Sequence, residues 1–190
     1  MFHLKVCASL AMPPHLFEIY LSSVGRGSTL LLNVPPDKEG RIHQTDVAAL
    51  EGCRKLLNET FKNNLAANAK TKADSYRGEN ENYAAANVTD GNKETYWATD
   101  DEKTTGAIEI DLGKTQLVKY VVLQEYIKLG QRVKSFTIEA WKENAWQEIS
   151  EATTIGNKRI VKLNPIETDR LRVTIVSSKA CPLISNVEVY

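Results

Sequence analysis

The chain has 190 residues, of which 42% are hydrophobic and 25% are charged, as is usual for a globular protein. Its 24 Lys and Arg residues balance 24 Asp and Glu residues. This balance argues against a nucleic-acid-binding protein, which usually carries a strong basic excess. No apolar run reaches the ~18 residues of a membrane span, so we expect no membrane partner either.

The N-terminus and the cysteines carry weak signals. Lys5 precedes an apolar stretch that ends at Met12, but no small-x-small cleavage site follows it. We therefore expect a helical or irregular tail rather than a signal peptide. The chain has three cysteines, Cys7, Cys53 and Cys181, and their spacing is not that of metal ligands. We expect free thiols rather than a Cys53–Cys181 disulfide bridge.

The first 65 residues predict a helix, a strand and a second helix. Pro13 and Pro14 can open a helix, and Gly25 and Gly27 can end it. Residues 28–34 form a continuous apolar run, which predicts a strand buried on both faces, as in a parallel sheet. The second helix is predicted to begin at Thr45 as its N-cap. It then carries an apolar stripe of Val47, Leu50, Cys53, Leu57 and Phe61.

A helix, a buried strand and a helix make one repeat of a (β/α) barrel or a doubly wound sheet. The unit cannot stand alone, because its strand needs neighbours on both sides. A complete (β/α)8 barrel takes about 250 residues. We therefore predict that residues 1–65 are the remnant of a (β/α) barrel and that most of the barrel is absent. The polar, Ala/Asn-rich residues 66–87 are predicted to be a linker into a second domain, residues 66–190.

The second domain shows short segments in which apolar and polar residues alternate, which predicts an antiparallel β-sandwich. Turn signals separate them, including Gly113-Lys114 and Asn164-Pro165. The predicted strands are 107–112, 118–124, 136–141, 146–149, 159–163, 171–176 and 184–190.

One loop, residues 87–97, collects Asp, Gly and Asn residues together with Thr95. Such oxygen-rich loops can hold Ca²⁺, with a carboxylate from Asp90, a hydroxyl from Thr95 and a carbonyl near Asn92. The alternative is an Asx turn, in which Asp90 accepts hydrogen bonds from its own backbone. The spacing favours the turn.

Aromatic residues offer a second set of candidates. Trp97 could stack against a sugar ring, but a tryptophan beside strands is more often a core residue. Trp141 and Trp146 flank a predicted turn, and packing is again the favoured interpretation. Neither a nucleophile elbow, a phosphate loop nor an HExxH motif occurs in the chain, so we predict no catalytic residue in it.

Two regions carry a family resemblance. Residues 22–42, with Leu30-Leu31-Leu32-Asn33 before a Pro-rich loop, resemble the last strand and loop of the α-L-fucosidase catalytic barrel. Residues 126–138 resemble the sandwich that follows this barrel, together with 153–159 and 182–185. The segments 87–97 and 184–190 resemble a discoidin, or coagulation-factor type C, jelly roll.

The resemblance implies site residues. It implies a structural Ca²⁺ held by Asp90, Asn92, Thr95 and Glu188, the last on the final strand. It offers Trp97 and Arg132 as sugar contacts, although Arg132 could instead pair with a carboxylate inside the sandwich. A retaining fucosidase needs two carboxyl groups about 5–5.5 Å apart. In the family the nucleophile lies on an earlier barrel strand, upstream of the segments found here, and neither carboxylate maps onto this chain.

The resemblance also implies a function. The expected fold is mainly β, a discoidin-like jelly-roll sandwich preceded by a helix-strand-helix barrel remnant. The expected protein is a C-terminal fragment of a retaining α-L-fucosidase, which releases terminal α-L-fucose, and it is expected to be inactive alone. Its sandwich would brace the missing catalytic barrel or bind a fucosylated glycan, with the parent periplasmic or extracellular. The alternatives are a stand-alone carbohydrate-binding module and a sandwich without a ligand.

Overall fold

The computed structural model describes residues 12–190 and divides the chain into two compact units. The border lies between Asn63 and Asn64, two residues before the predicted one. The first unit holds two helices, α1 (Pro13–Ser23) and α2 (Gln44–Thr60). Cys7 and residues 6–11 of the apolar stretch lie outside the described residues. No helix in 12–190 is long and apolar enough to cross a membrane.

The two helices pack through a small apolar core. Leu16 and Ile19 of α1 meet Ala49 of α2, and all three are buried. The predicted N-cap of α2 was wrong by two residues. His43 takes this place because its Nδ1 atom accepts a hydrogen bond of 3.3 Å from the backbone N–H of Thr45.

The strand predicted at residues 28–34 is wrong, because the described residues provide no β-ladder for it. Leu31 is 80% exposed, whereas Leu30 and Leu32 pack half-buried against the helix core. An apolar run becomes a buried strand only where neighbouring strands pair with its backbone groups. The segment therefore has the composition of a barrel strand without the partners of one.

The second unit consists of seven antiparallel strands. They lie in the order β2-β7-β3-β6-β4-β5, and β1 pairs with β3. Their bounds are β1 Lys70–Ala73, β2 Trp97–Ala98, β3 Gly106–Glu125, β4 Val133–Lys142, β5 Ala145–Ala152, β6 Arg159–Ser178 and β7 Leu183–Val189.

Strands β3 and β6 are long and take part in both layers of a sandwich. The first half of β3 pairs with β1 and its second half with β7, and the register shifts between Asp111 and Gln116. Side chains from both halves meet in one core, including Ile108, Ile110, Val121 and Leu123. The sandwich prediction is thereby confirmed. The turns at 113–114 and 164–165 were predicted to separate strands, and this was wrong. Residues 113–114 lie inside the continuous strand β3, and residues 164–165 lie inside β6.

The predicted linker was also wrong, because much of residues 66–87 is folded against the sandwich. Ala66 is fully buried, and β1 begins four residues later. The backbone N–H of Leu65 donates to the carbonyl of Val189 at 2.8 Å, and the side chain of Asn64 accepts from the N–H of Val189 at 2.9 Å. These bonds tie the start of the unit to its last strand.

Candidate ligand-binding site

Three tyrosines from separate parts of the sequence meet at one end of the sandwich. Tyr83 ends a short helical turn, Tyr96 precedes β2 and Tyr126 follows β3. The ring centroids of Tyr83 and Tyr96 are 5.5 Å apart, and those of Tyr96 and Tyr126 are 4.4 Å apart. All three side chains are half-buried over the core residues Ala98, Cys181 and Leu183. We call this set the tyrosine surface.

Two cations flank the tyrosine surface. The Arg77 guanidinium lies 5.3 Å from the ring centroid of Tyr83, and the Lys128 ammonium lies 6.0 Å from that of Tyr126. Lys128 also pairs with Glu94, and this hydrogen bond raises the pKa of Lys128. Burial raises the pKa of Tyr96. The site therefore combines phenol rings with cationic side chains, a composition suited to ligands with both apolar and polar faces.

Arg132, a predicted sugar contact, lies beside the tyrosine surface. Its Nη1 donates to the carbonyl of Cys181 at 3.1 Å and to the Sγ of Cys181 at 2.8 Å. Its backbone N–H donates to the buried carboxylate of Glu125 at 2.7 Å. The alternative prediction, that the Arg132 side chain pairs with a carboxylate, was wrong, because no carboxylate in residues 12–190 accepts a hydrogen bond from it. The side chain of Arg132 donates instead to the carbonyl and thiol of Cys181 and to the carbonyl of Leu129.

Trp97, the other predicted sugar contact, is a core residue. Its side chain is fully buried, and its Nε1 donates to the carbonyl of Ser75 at 2.9 Å. A ring without exposed surface cannot stack against a ligand. The sugar-contact prediction for Trp97 is therefore corrected to the alternative that the sequence favoured.

Trp141 and Trp146 pack against each other on paired strands. Their ring centroids are 5.2 Å apart at an edge-to-face angle of 71°. The guanidinium of Arg170 lies 4.3 Å from the Trp141 ring, and that of Arg172 lies 4.6 Å from the Trp146 ring. These arginines already stack on the tryptophans, so packing explains this cluster.

The loop predicted to hold Ca²⁺ is closed by its own hydrogen bonds. The Asp90 carboxylate accepts from the backbone N–H of Asn92 at 2.7 Å and from the Thr95 hydroxyl at 2.7 Å. The same hydroxyl lies 2.8 Å from the Asn92 carbonyl oxygen. Gly91 has a φ of 75°, the left-handed conformation that this turn requires. Both interpretations of the loop thus use the same atoms, because the oxygens that close the turn are those proposed as ligands.

Glu188, the fourth predicted ligand, has protein partners. Its carboxylate accepts from the amide of Asn186 at 2.9 Å and from the hydroxyl of Tyr190 at 2.9 Å. Across residues 12–190, no group of three or more His, Cys, Asp or Glu side chains is placed to hold a metal ion. The oxygen donors of Asp90, Asn92 and Thr95 are hard and therefore suit Ca²⁺, but only Asp90 among these three residues supplies a carboxylate.

The sequence did not single out the three tyrosines or Arg77. Each tyrosine lies next to a predicted loop or at the end of a strand, and no local spacing relates them. The free thiol of Cys181, 2% exposed, sits beneath them, and Cys53 is free as well. A long-range convergence of this kind becomes visible only when the loops are placed at the same end of the sandwich.

Comparison with known proteins identifies the type of sandwich. Residues 67–188 match the family model described as F5/8 type C domain. A putative α-L-fucosidase 1 of Oryza sativa subsp. japonica is 37% identical over 177 residues, which is 92% of this chain and 34% of that protein. The α-L-fucosidase 1 of Arabidopsis thaliana is 32% identical over 179 residues, or 92% of this chain and 35% of that protein.

Solved structures show the same relationship. A GH29 fucosidase of Ruminococcus gnavus in complex with fucose matches with a TM-score of 0.88 and 34% identity, covering 96% of this chain and 37% of its own. A putative α-L-fucosidase of Bacteroides thetaiotaomicron matches with a TM-score of 0.88 and 35% identity, covering 100% of this chain and 42% of its own. The chain thus spans about a third of the curated relatives it matches and corresponds to the C-terminal part of a fucosidase.

Proposed function

The chain belongs to the F5/8 type C domain family, and we propose that it is the glycan-binding accessory part of a retaining α-L-fucosidase. Its ligand is a fucosylated glycan or oligosaccharide. The two catalytic carboxylates belong to the part of the barrel that this chain does not contain, so the chain binds glycan without cleaving it. The predicted periplasmic or extracellular location of the parent stays a prediction.

The observation that carries this proposal is the tyrosine surface. Three half-buried aromatic rings lie in contact at one end of the sandwich, and two cations flank them. Half-buried rings keep a face or an edge for a ligand, unlike the fully buried ring of Trp97. Sugar rings present apolar C–H faces and polar hydroxyl groups, and both find partners on such a surface.

Calorimetric titration with fucosyllactose tests the proposal. We expect weak saturable binding that Tyr96→Ala lowers by about tenfold, because Tyr96 contacts both other rings. Trp146→Phe is the matched control, since Trp146 is a half-buried aromatic residue away from the site. Absence of binding, or an equal loss in both variants, contradicts the proposal and favours a sandwich that only braces the barrel.

The first unit supports the link to a catalytic barrel. Leu30, Leu31 and Leu32 have the composition of a buried strand, yet Leu31 is 80% exposed and the segment lacks a ladder within the described residues. We propose that the missing catalytic barrel pairs with residues 28–34. The alternative is a stand-alone carbohydrate-binding module, in which residues 28–34 would have no barrel strands to pair with.

Addition of a fucosidase barrel piece that ends before α1 tests this pairing. We expect the mixture to cleave an aryl α-L-fucoside, whereas each piece alone does not. Leu31→Lys should abolish the complementation while the fold of the sandwich, followed by circular dichroism, is unchanged. Complementation that survives Leu31→Lys contradicts a paired strand at this segment.

We further propose that the Asp90 loop binds a structural Ca²⁺. The Asp90 carboxylate and the Asn92 carbonyl both lie within 2.8 Å of the Thr95 hydroxyl, so three oxygens already converge. Asp90, Asn92 and Thr95 would hold the ion, with Glu188 as the predicted fourth ligand. The ion would lock the loop that leads to Tyr96 and would take no part in bond cleavage.

A further inference from the structure

Two arginines from distant parts of the chain converge on one buried sulfur. Nη2 of Arg77 lies 2.9 Å from the Sγ of Cys181, and Nη1 of Arg132 lies 2.8 Å from the same atom. Cys181 is 2% exposed and belongs to the small core beneath the tyrosine surface. The two guanidinium groups therefore lie close together at the edge of that surface.

The positive charge at this point is only partly compensated. Arg77 pairs with Asp101 at 2.6 Å, but the Asp101 side chain is 85% exposed, so this pair is weak and easily replaced. The side chain of Arg132 donates to two carbonyls and a thiol, and no carboxylate in the described range 12–190 accepts from it. Arg77 also interacts electrostatically with the partly exposed Asp100, so the uncompensated charge is mainly that of Arg132. Two like charges near one sulfur form an arrangement that an anion stabilises.

The tyrosines next to the two arginines indicate which kind of anion binds there. Arg77 both contacts the Cys181 sulfur and stacks on Tyr83, at 5.3 Å from the ring centroid. Tyr83, Tyr96 and Tyr126 pack on the same core as Cys181. A sugar ring on the tyrosine surface would therefore lie next to the two arginines. Guanidinium groups recognise planar or tetrahedral oxyanions by paired hydrogen bonds.

We infer that Arg77 and Arg132 form a subsite for an acidic group of the glycan, a carboxylate or a sulfate ester. This inference rests on the proposed function, since it assumes that the tyrosine surface binds sugar. On binding, the acidic group takes the place of Asp101 at Arg77 and supplies Arg132 with its missing counter-charge. The subsite selects acidic over neutral glycans at the same tyrosine surface.

Titration of the full chain with four sugars tests the inference. Glucuronate is compared with glucose, and galactose monosulfate with galactose, at low ionic strength. We expect at least one acidic sugar to bind about tenfold more tightly than its neutral counterpart. The pair that shows the preference tells whether carboxylate or sulfate is the group recognised.

Variants assign the preference to the arginines. Arg132→Gln should bring the acidic-to-neutral affinity ratio down to about one. Arg132→Lys keeps the charge but loses the paired N–H donors of the guanidinium, so it should retain part of the preference for acidic sugars. This variant replaces Arg132→Gln in the test if the glutamine variant does not fold. Arg170→Gln, a partly exposed arginine stacked on Trp141 at another place, should leave the ratio unchanged.

The outcomes separate the two proposals. Equal binding of acidic and neutral sugars, or a preference that survives Arg132→Gln, overturns the acidic subsite and leaves glycan binding standing. Loss of binding by all four sugars overturns the subsite, and if fucosyllactose also fails to bind, the proposed function fails with it. An acidic preference that disappears with Arg132→Gln and persists with Arg170→Gln supports the subsite.

Discussion

Arg172 and Glu139 lie opposite each other on β6 and β4 and form a two-pronged ion pair. Nε of Arg172 donates to Oε2 of Glu139 at 2.7 Å, and Nη2 donates to Oε1. The Thr174 hydroxyl adds a hydrogen bond of 2.9 Å to the same carboxylate. The Glu139 side chain is only 16% exposed, so water screens the pair weakly. These donors, above all Arg172, lower the pKa of Glu139.

The first prediction concerns the pH dependence of this pair. A carboxyl pKa that is lowered on folding adds stability above its unfolded value of about 4.3, and this stability is lost as the pH falls through the folded value. Glu139→Gln should therefore lower the free energy of unfolding by about 1–2 kcal/mol at pH ~7 and by much less at pH ~3. Urea denaturation at several pH values measures this difference.

A matched control for that experiment lies on the neighbouring strand. Glu148 is the register partner of Glu139 on β5 and is exposed. Glu148→Gln should change the free energy of unfolding by less than about 0.5 kcal/mol at every pH. A Glu139→Gln effect that does not depend on pH would argue against the ion pair as its source.

The second prediction concerns Glu125, a carboxylate that is 3% exposed. It accepts backbone N–H groups from Arg132 at 2.7 Å, Val133 at 2.9 Å and Gly156 at 2.6 Å. Glu125→Ala leaves three backbone donors unpaired, two of them buried and that of Arg132 partly buried, and should cost about 3–5 kcal/mol of the free energy of unfolding. Glu125→Gln should cost less, because its amide oxygen can still accept. Equal costs for the two variants would contradict this role.

The third prediction concerns the close approach of Gly106 to Trp97. A Cβ atom at residue 106 would lie 2.8 Å from Cη2 of Trp97 and 3.0 Å from the methyl of Thr99. Gly106→Ala should therefore lower the free energy of unfolding by about 1–3 kcal/mol, since the buried indole cannot move without cost. The double variant Gly106→Ala with Trp97→Phe should show a smaller effect of the alanine. Additive losses would contradict the clash.

The fourth prediction concerns Ca²⁺ at the Asp90 loop. Millimolar Ca²⁺ should raise the melting temperature relative to a chelator, because an ion that binds only the folded state stabilises it by mass action. Asp90→Asn should remove this increase, whereas Asp37→Asn, in an exposed turn of the first unit, should retain it. An identical melting temperature with Ca²⁺ and with chelator would leave the loop as an Asx turn.

The sandwich could be predicted because its pattern is local. Ile108, Ile110 and Leu112 alternate with polar residues, and all three are buried in the core as period-two spacing requires. The turns at 113–114 and 164–165 were misplaced because Gly and Pro residues mark a bend as readily as a strand end. Whether a strand continues through a bend depends on its ladder partners, which a single segment does not reveal.

The first unit and the site could be predicted only in part. The run Leu30-Leu31-Leu32 has the composition of a buried strand, but burial needs neighbours that the described residues do not supply. Arg132 was named as a candidate sugar contact and stays a prediction, whereas Arg77 and the three tyrosines were not named. Arg77 and Cys181 are separated by 104 residues, and only the folded sandwich brings them together.

One measurement tests the central claim that this chain binds fucosylated glycan but does not cleave it. The purified chain is titrated with fucosyllactose in a calorimeter, and the sugar is then recovered and analysed for free L-fucose. We predict a saturable heat of binding together with intact oligosaccharide. Release of fucose would contradict the assignment of catalysis to the missing barrel, and absence of binding heat would contradict the assignment of glycan binding to the sandwich.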